Sequence, residues 1–348
     1  MASVSMTIDA GVLVVPQDGR TAEDAYRYVE TLLDWSKILS EPWVAIYMSE
    51  RASEALSDDD LFPLHDQLER LFAAKCIIEY AVNDVVTVVY RLLQSTPSFE
   101  TYFSIRNVLA EQFSTEPDIL RLCSGRHLQS DLARGMILIA ILRRHCHEPI
   151  RDHLLILRHA PRRIINVRAL VHDLEHDRND LSDIPRPPEF FEGDVLVCDD
   201  FRGLVECLDE SAIFQNATDD VGIETAIRVA LYKSRLLRHA EPDWEDTGGL
   251  RLGRYFHKIE TGICRGQTDE FVGRVLRAIV ETLDGINLAA VHSLRTGSGG
   301  GNPQRMRSED KAMRRDIDYE YHLHYWHCQD GGVELACIVA HNDFSIPE

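Results

Sequence analysis

Two strand-like segments near the end of the chain, joined by a tight turn, constrain the fold more than any other sequence feature. Residues 321–328 and 333–341 are rich in aromatic and apolar side chains, and an Asp-Gly-Gly turn at 330–332 separates them. A turn this short joins neighbouring antiparallel strands. Residues 269–287 precede the pair and repeat apolar side chains at helical spacing. The sequence therefore predicts a helix and an antiparallel sheet in this part of the chain.

The start of the chain shows a different succession of elements. The apolar run at residues 12–15 predicts a short buried strand, which Pro16 ends. Thr21 can cap a helix over residues 22–39, and residues 43–47 predict a second strand. A strand, a helix and a strand in this order are typical of a small α/β unit. Further helices are predicted at residues 61–75, 84–94, 100–113, 128–158 and 220–238.

A polar, turn-rich segment at residues 242–249 separates these two patterns. We place the domain boundary within this segment. Residues 1–245 are then a helix-rich α/β domain with a binding or regulatory role. Residues 246–348 are a small catalytic domain built on an antiparallel sheet. The expected fold class of the whole chain is α+β.

The charge of the chain is divided unevenly between these parts. The 348 residues contain 37 Lys and Arg against 57 Asp and Glu, a net charge of -20. Residues 1–250 carry -18 of this, whereas residues 290–315 hold six basic and only two acidic side chains. An acidic body cannot coat a phosphate backbone, but a local basic site remains compatible with it. The six basic residues are Arg295, Arg305, Arg307, Lys311, Arg314 and Arg315.

Targeting and cysteine patterns point to the cytoplasm. The first residues lack a basic segment and Asp9 interrupts their apolar run, so a secretory signal is not expected. The longest apolar stretch, at residues 136–142, is far shorter than the roughly 20 residues that span a bilayer. The 8 Cys form no C-x-x-C pair, so we expect reduced thiols and no structural zinc cluster.

Five His lie in the last part of the chain, next to the basic segment and its glycine-rich loop at 298–301. Ribonucleases that work without metal need a base to activate the 2′-hydroxyl, an acid for the 5′-oxygen and cations for the phosphorane. Imidazole and guanidinium groups supply these functions, and glycine lets the backbone approach a ligand. The five residues are His292, His322, His324, His327 and His341.

Three segments of this region resemble the RelE/YoeB toxins. They are RRDID at 314–318, EYHLHY at 320–325, and the apolar strand that is followed by His341. The resemblance covers about residues 268–348. It implies a small antiparallel sheet with helices on one side, and cleavage of RNA, usually on the ribosome. The resemblance also implies that His341 is the general acid and that Arg314 or Arg315 binds the phosphate.

The resemblance leaves the general base open, because the family's loop Glu has no clear counterpart. His292 or Glu309 could serve. His322 and His324 complete the predicted catalytic set, and His324 stands where the family has an aliphatic residue. The remaining basic residues, Arg295, Arg305, Arg307 and Lys311, are expected to bind substrate, and Trp326 could stack on a base or fill the core.

The function predicted from these features is that of a metal-independent endoribonuclease that needs no cofactor. Its partner would be RNA or the ribosome. A toxin-like domain fused to an acidic one fits a cellular effector in stress or phage defence. The acidic domain, or a separate inhibitor, would hold the activity back by competing with RNA for the basic loop.

Two other functions use the same residues. His322, His324 and His341 could bind a catalytic zinc in a phosphoesterase, because two His on one strand face and a third nearby are suitable ligands. A non-enzymatic protein could instead dock a basic partner on its acidic domain. Elsewhere, His172 and His176 could hold a metal if they lie on a helix, and Asp199 with Asp200 could bind magnesium or simply form a turn or helix cap.

Overall fold

The computed structural model describes residues 4–16, 21–145, 153–160, 163–179, 186–239, 242–297 and 301–348. The chain divides into two compact units, Met1–Cys207 and Leu208–Glu348. We name them the first and the second unit. Each contains one sheet of six strands together with helices. The chain is therefore an α+β protein, as the sequence predicts.

The sheet of the first unit is mixed, with three parallel and two antiparallel pairings. Its strands run in the order β2-β1-β4-β6-β5-β3, with parallel pairing from β2 to β6 and antiparallel pairing from β6 to β3. All strands except β5 consequently have their carboxyl ends at one edge of the sheet. The strands are β1 (Val4–Ile8), β2 (Val44–Met48), β3 (Ile105–Glu116), β4 (Leu154–Ile156), β5 (Ile164–His176) and β6 (Glu189–Cys198).

Seven helices are described in the first unit. The helix α1 begins at the predicted cap, where Thr21 and Asp24 exchange side-chain and backbone hydrogen bonds. The helix α6 contains the longest apolar stretch, and that stretch is buried against the sheet. In the parts of the chain that are described, no helix is long and apolar enough to cross a membrane. The helices are α1 (Ala22–Ile38), α2 (Ala52–Asp58), α3 (His65–Lys75), α4 (Val82–Ser95), α5 (Phe99–Phe103), α6 (Arg126–His145) and α7 (Phe201–Cys207).

Three elements of the first unit were predicted wrongly. The helix expected at 128–158 ends at His145, and Leu154–Ile156 within that range form the strand β4, which pairs with β1 and β6. The strand expected at 12–15 is a short 3-10 helix, Ala10–Leu13, because the Asp9 side chain accepts a hydrogen bond from Gly11 N and starts a turn. The helix expected at 100–113 ends at Phe103, since Ser104 adopts a left-handed φ of 52°. The chain then continues as the long strand β3.

The proposed helical pair of His172 and His176 is also corrected by the structure. Both residues lie on strand β5. Four residues along a strand separate two side chains by roughly 13 Å. They therefore cannot bind one metal ion together.

The second unit holds the predicted antiparallel hairpin, formed by β11 and β12. The strand order is β7-β12-β11-β10-β8, with β9 paired to β10. All pairs are antiparallel except β12 with β7. The elements are α8 (Glu210–Asn216), α9 (Asp220–Leu237), β7 (Leu250–Leu252), α10 (Phe256–Cys264), α11 (Asp269–Leu283), β8 (Val291–Ser293), β9 (Met306–Arg307), β10 (Asp310–Asp316), β11 (Tyr321–His327) and β12 (Val333–Ala340).

The two faces of this sheet differ in chemistry. One face carries apolar residues such as Leu323 and Ile338, which form a core with the helices α9 and α11. Because side chains alternate along a strand, the neighbouring residues point to the opposite face. We name that second surface the histidine face. Its polar members are His292, Arg314, Asp316, His322, His324 and His341.

The observed division between the units lies earlier than the boundary placed at 245/246. The helices α8 and α9 bury Phe214 and Ile227 in the same core as Leu276 and Leu323, so they belong to the second unit. With this division the first unit has 21 basic and 34 acidic residues, and the second has 16 and 23. The net charges, -13 and -7, are less uneven than the sequence-based boundary implied.

Candidate active site

A chain of three polar side chains crosses the histidine face. His322 Nε2 lies 2.9 Å from His341 Nδ1 in a hydrogen bond. On its other side, His322 Nδ1 lies 2.9 Å from Asp316 Oδ1, an ion-pair distance without hydrogen-bond alignment. His322 is only 2 % exposed, whereas His341 is exposed. The buried ring therefore connects a carboxylate to an imidazole that solvent can reach.

The protonation of His322 follows from its surroundings. Burial lowers its pKa, and the nearby charge of Arg314 lowers it further, although Asp316 opposes both effects. The ring is consequently neutral at neutral pH. Its single proton is favoured on Nδ1, which faces the carboxylate, so Nε2 accepts the hydrogen bond from His341 Nδ1. This arrangement directs the lone pair of His341 Nε2 away from His322.

Arg314 lies at the centre of the histidine face. The strand register places it directly opposite His292 on β8 and His324 on β11. Arg314 is half-buried and makes no ion pair with any described residue, and its Nε is buried without a hydrogen-bond partner. An unpaired, partly desolvated guanidinium is suited to an anion such as phosphate. His292 stands beside it, with Nε2 3.4 Å from Asp316 Oδ2.

His324 lies on the same face but is closed to solvent. It is fully buried, and its Nδ1 donates a hydrogen bond of 2.7 Å to the carbonyl oxygen of Ser345. Burial lowers its pKa, so the ring is neutral. The segment 343–347 thus covers His324, and this residue cannot exchange protons with a substrate in this conformation.

Arg315 points to the opposite face, so the structure does not place it with the catalytic group. It is 1 % exposed, and its Nη1 pairs with Glu281 Oε2 at 2.7 Å. Its Nη2 donates to the carbonyl oxygen of Ile286 at 2.7 Å. Arg315 therefore joins β10 to the end of α11. Of the two arginines matched to the family's phosphate ligand, Arg314 alone reaches the histidine face.

Replacing Arg315 should destabilise the second unit. We expect Arg315→Met to lower the free energy of unfolding by about 3 kcal/mol, because it removes the ion pair with Glu281 and the hydrogen bonds to the carbonyl oxygens of Ile286 and Asn287. Arg314→Met is the matched control on the adjacent residue and should cost less than about 1 kcal/mol. Urea unfolding followed by circular dichroism measures both. Equal stabilities of the two variants would contradict the structural role of Arg315.

Trp326 and Arg307 are occupied by contacts within the protein. Trp326 is 1 % exposed and donates from Nε1 to the carbonyl oxygen of Pro347 at 3.0 Å. Arg307 lies over its ring, 4.7 Å from the centroid, and forms two hydrogen bonds of 2.8 and 2.7 Å with Glu334. The core-filling interpretation of Trp326 is therefore correct, and base stacking is not available to it.

The other basic residues differ in their contacts with the rest of the protein. Lys311 is exposed, and neither it nor half-buried Arg305 forms an ion pair with the described residues. Arg295 donates to the carbonyl oxygen of Asn302 at 3.0 Å. Glu309, considered as a base, is exposed in the turn between β9 and β10. Of the glycine-rich loop at 298–301, residues 298–300 lie outside the described residues.

The zinc alternative requires His322, His324 and His341 to direct three nitrogens at one point. In the structure, the facing nitrogens of His322 and His341 share a hydrogen bond, and His324 Nδ1 is bonded to Ser345 O. Within the described ranges, the group with three ligand atoms inside 4.8 Å is instead His65, Asp66 and Glu69, all exposed on α3. Zinc binding by the three predicted His would need a rearrangement of these rings.

A second polar cluster, in the first unit, was not anticipated. Ser49 follows β2, and its hydroxyl donates to Asp131 Oδ1 at 2.7 Å. Arg134 on α6 donates to the Ser49 hydroxyl at 2.9 Å and pairs with Asp131 and with Glu100. All but Ser49 are more than nine-tenths buried. Asp131 and Arg134 share the helix α6, but Ser49 and Glu100 come from two distant segments, so no local pattern could have grouped the four residues.

The acidic pair at the end of β6 has a local role. Asp200 Oδ1 accepts a hydrogen bond of 2.6 Å from Gly203 N at the start of α7. This is the helix-cap alternative that the sequence left open beside magnesium binding. Asp199 is half-buried, and burial raises its pKa.

Comparison of the chain with protein-family models, curated proteins and solved structures found no match. The resemblance to the RelE/YoeB toxins therefore rests on the three short segments quoted above. Any function for this chain has to be argued from the geometry of its own residues.

Proposed function

We propose that the second unit is a metal-independent ribonuclease that cleaves RNA by attack of a 2′-hydroxyl on the adjacent phosphate. The observation that carries this proposal is the chain Asp316–His322–His341 beside the unpaired Arg314. It offers a positioned imidazole with an available lone pair and a cation for the phosphate. These are the groups that RNA transesterification needs.

In this mechanism the 2′-oxygen forms a bond to phosphorus while the bond from phosphorus to the 5′-oxygen breaks. His341 Nε2 takes the proton of the 2′-hydroxyl, and its Nδ1 proton remains bonded to His322. His292, which faces the Asp316 carboxylate, gives a proton to the departing 5′-oxygen. The products are a 2′,3′-cyclic phosphate and a 5′-hydroxyl. His341 is thus the base, not the acid that the family resemblance implied.

Arg314 binds the phosphate and stabilises the charge that develops on its oxygens. Arg305, whose backbone pairs with that of Ala312, extends the basic surface along the RNA backbone. Lys311 lies three residues before Arg314 on β10, so alternation places it on the opposite face of the strand. Because Trp326 is buried, recognition rests on the backbone more than on base stacking. Such an enzyme fits a cytoplasmic, toxin-like effector in stress or defence that acts on free or ribosomal RNA. Its activity would be restrained by a partner or by the acidic first unit.

Arg314→Ala tests this proposal directly. We expect RNA cleavage by the purified full chain to fall roughly a hundredfold, because one preorganised donor to the transition state is lost. Arg277→Ala removes an exposed charge from α11 and should leave the rate unchanged. Substrates are total RNA and an oligonucleotide with a single ribose in a DNA strand.

Three outcomes decide between the functions considered. Cleavage that persists in EDTA and ends in a cyclic phosphate supports the proposal. Loss of cleavage in EDTA, with recovery on adding zinc, would establish the phosphoesterase alternative. If the wild type neither cleaves RNA nor slows growth on expression, whereas it captures a basic protein, the non-enzymatic alternative holds.

A further inference from the structure

A cavity of about 90 Å³ lies in the first unit at the carboxyl ends of β1 and β4. Asp9 and Gly11 line it from the β1 side, and Arg158 and His159 line it from the β4 side. Strand β1 lies between β2 and β4. The chain passes from β1 to β2 on one side of it and later returns to β4 on the other side, so the strand order reverses at β1. In sheets with parallel strands, ligands bind in the crevice at such a reversal of strand order.

Asp9 is held so that one carboxylate oxygen stays available. Its Oδ2 accepts a hydrogen bond of 2.8 Å from Gly11 N. Its Oδ1 makes no hydrogen bond, and the side chain no ion pair, with the described residues. A Cβ on residue 11 would lie 2.6 Å from Asp9 Oδ2, so only glycine permits this position of the carboxylate. The free oxygen can accept a hydroxyl or amino proton from an occupant of the cavity.

The opposite side of the cavity is cationic. Arg158 Nη1 donates to the carbonyl oxygen of Val14 at 2.6 Å, and its guanidinium lies 5.5 Å from the centroid of the Tyr28 ring. These contacts keep the charge at the cavity wall. His159, the next residue, has a φ of 63°, a left-handed conformation that costs free energy outside glycine. Such strained residues cluster at ligand-binding sites.

We propose that this cavity binds a phosphorylated ribose, with sugar hydroxyls on Asp9 and the phosphate towards Arg158 and His159. A water molecule needs roughly 10–15 Å³ of such volume, so the cavity has room for a five-membered sugar ring. An acceptor on one wall, and a guanidinium with an imidazole beside it on the other, match the donors and the anion of this ligand. This function is separate from RNA cleavage on the histidine face.

Thermal unfolding and calorimetry on the full chain test the proposal. The probes are AMP, GMP, CMP, UMP, ribose 5-phosphate and unphosphorylated adenosine at millimolar concentration. We expect the phosphorylated probes to raise the unfolding temperature and adenosine to do so less. Preference for one nucleotide would identify a nucleotide site, and equal binding of ribose 5-phosphate would identify a sugar-phosphate site.

Variants locate the binding. Asp9→Asn and Gly11→Ala should each weaken binding by roughly tenfold or more. Arg314→Ala, in the second unit, and Asp58→Asn, an exposed carboxylate on α2, should bind as the wild type does. Circular dichroism confirms folding of each variant. The proposal is overturned if no phosphorylated probe binds, if Asp9→Asn binds as tightly as the wild type, or if Arg314→Ala removes the binding.

Discussion

His341→Ala should lower RNA cleavage by the full chain about a thousandfold, within the range measured for loss of a general base. In the proposed mechanism the exposed ring of His341 takes the 2′-hydroxyl proton. Among the described residues, no other exposed imidazole is hydrogen-bonded to His322, so none can replace His341. Folding should be unaffected, because His341 lies after the end of β12 at the surface. Cleavage of a labelled oligonucleotide measures the rate, and cell growth with RNA integrity shows the effect in vivo.

Controls separate a catalytic from a structural effect of this variant. His327→Ala removes an exposed imidazole at the end of β11 and should keep full activity. Added imidazole should partly restore His341→Ala, since the vacated position is open to solvent. Asp316→Asn should cost roughly tenfold to a hundredfold, because the amide no longer favours the required tautomer of His322. Full activity of His341→Ala would remove His341 as the base.

The sequence predicted much of the histidine face but not its details. The Asp-Gly-Gly turn set the pairing of β11 with β12, and alternation then placed His322 and His324 on one face. Alternation also separates Arg314 from Arg315. Which of them faces the helices depends on the packing of α11, which no local pattern reveals. Asp316 was overlooked, although it lies two residues after Arg314 and therefore on the same face.

In the fold, too, the elements that depend on contacts between distant segments were not predicted. The helix α1 was predicted because its cap and apolar period are local. The strand β3 was missed because it pairs with β5, about sixty residues later, and its exposed side resembles a polar helix. The domain boundary was misplaced because α8 and α9 bury their apolar faces against α11 and β11. Such contacts between distant segments leave no mark in a short window of sequence.

Asp9→Asn should stabilise the first unit by about 4 kcal/mol at pH 8, as the difference between two pKa values requires. Burial, and secondly repulsion from Asp131, raise the pKa of Asp9 from 3.8 to about 7. The folded state therefore binds a proton that the unfolded state releases. The stabilisation that this bound proton gives to the folded state is complete below pH 3.8 and is lost as the pH rises through 7. Asparagine accepts the same hydrogen bond from Gly11 and carries no charge to bury.

The pH dependence identifies Asp9 as the cause. The stability difference between Asp9→Asn and the wild type should be near zero at pH 4 and grow by about 1.4 kcal/mol per pH unit up to pH 7. Buried His153, whose pKa falls to about 3, acts in the opposite direction but is present in both proteins. Asp58→Asn should show no such trend. A pH-independent difference would contradict the burial of an ionised Asp9. A carboxylate whose ionisation opposes folding fits a binding site that trades stability for function, and Asp9 lines the cavity proposed to bind a phosphorylated ribose.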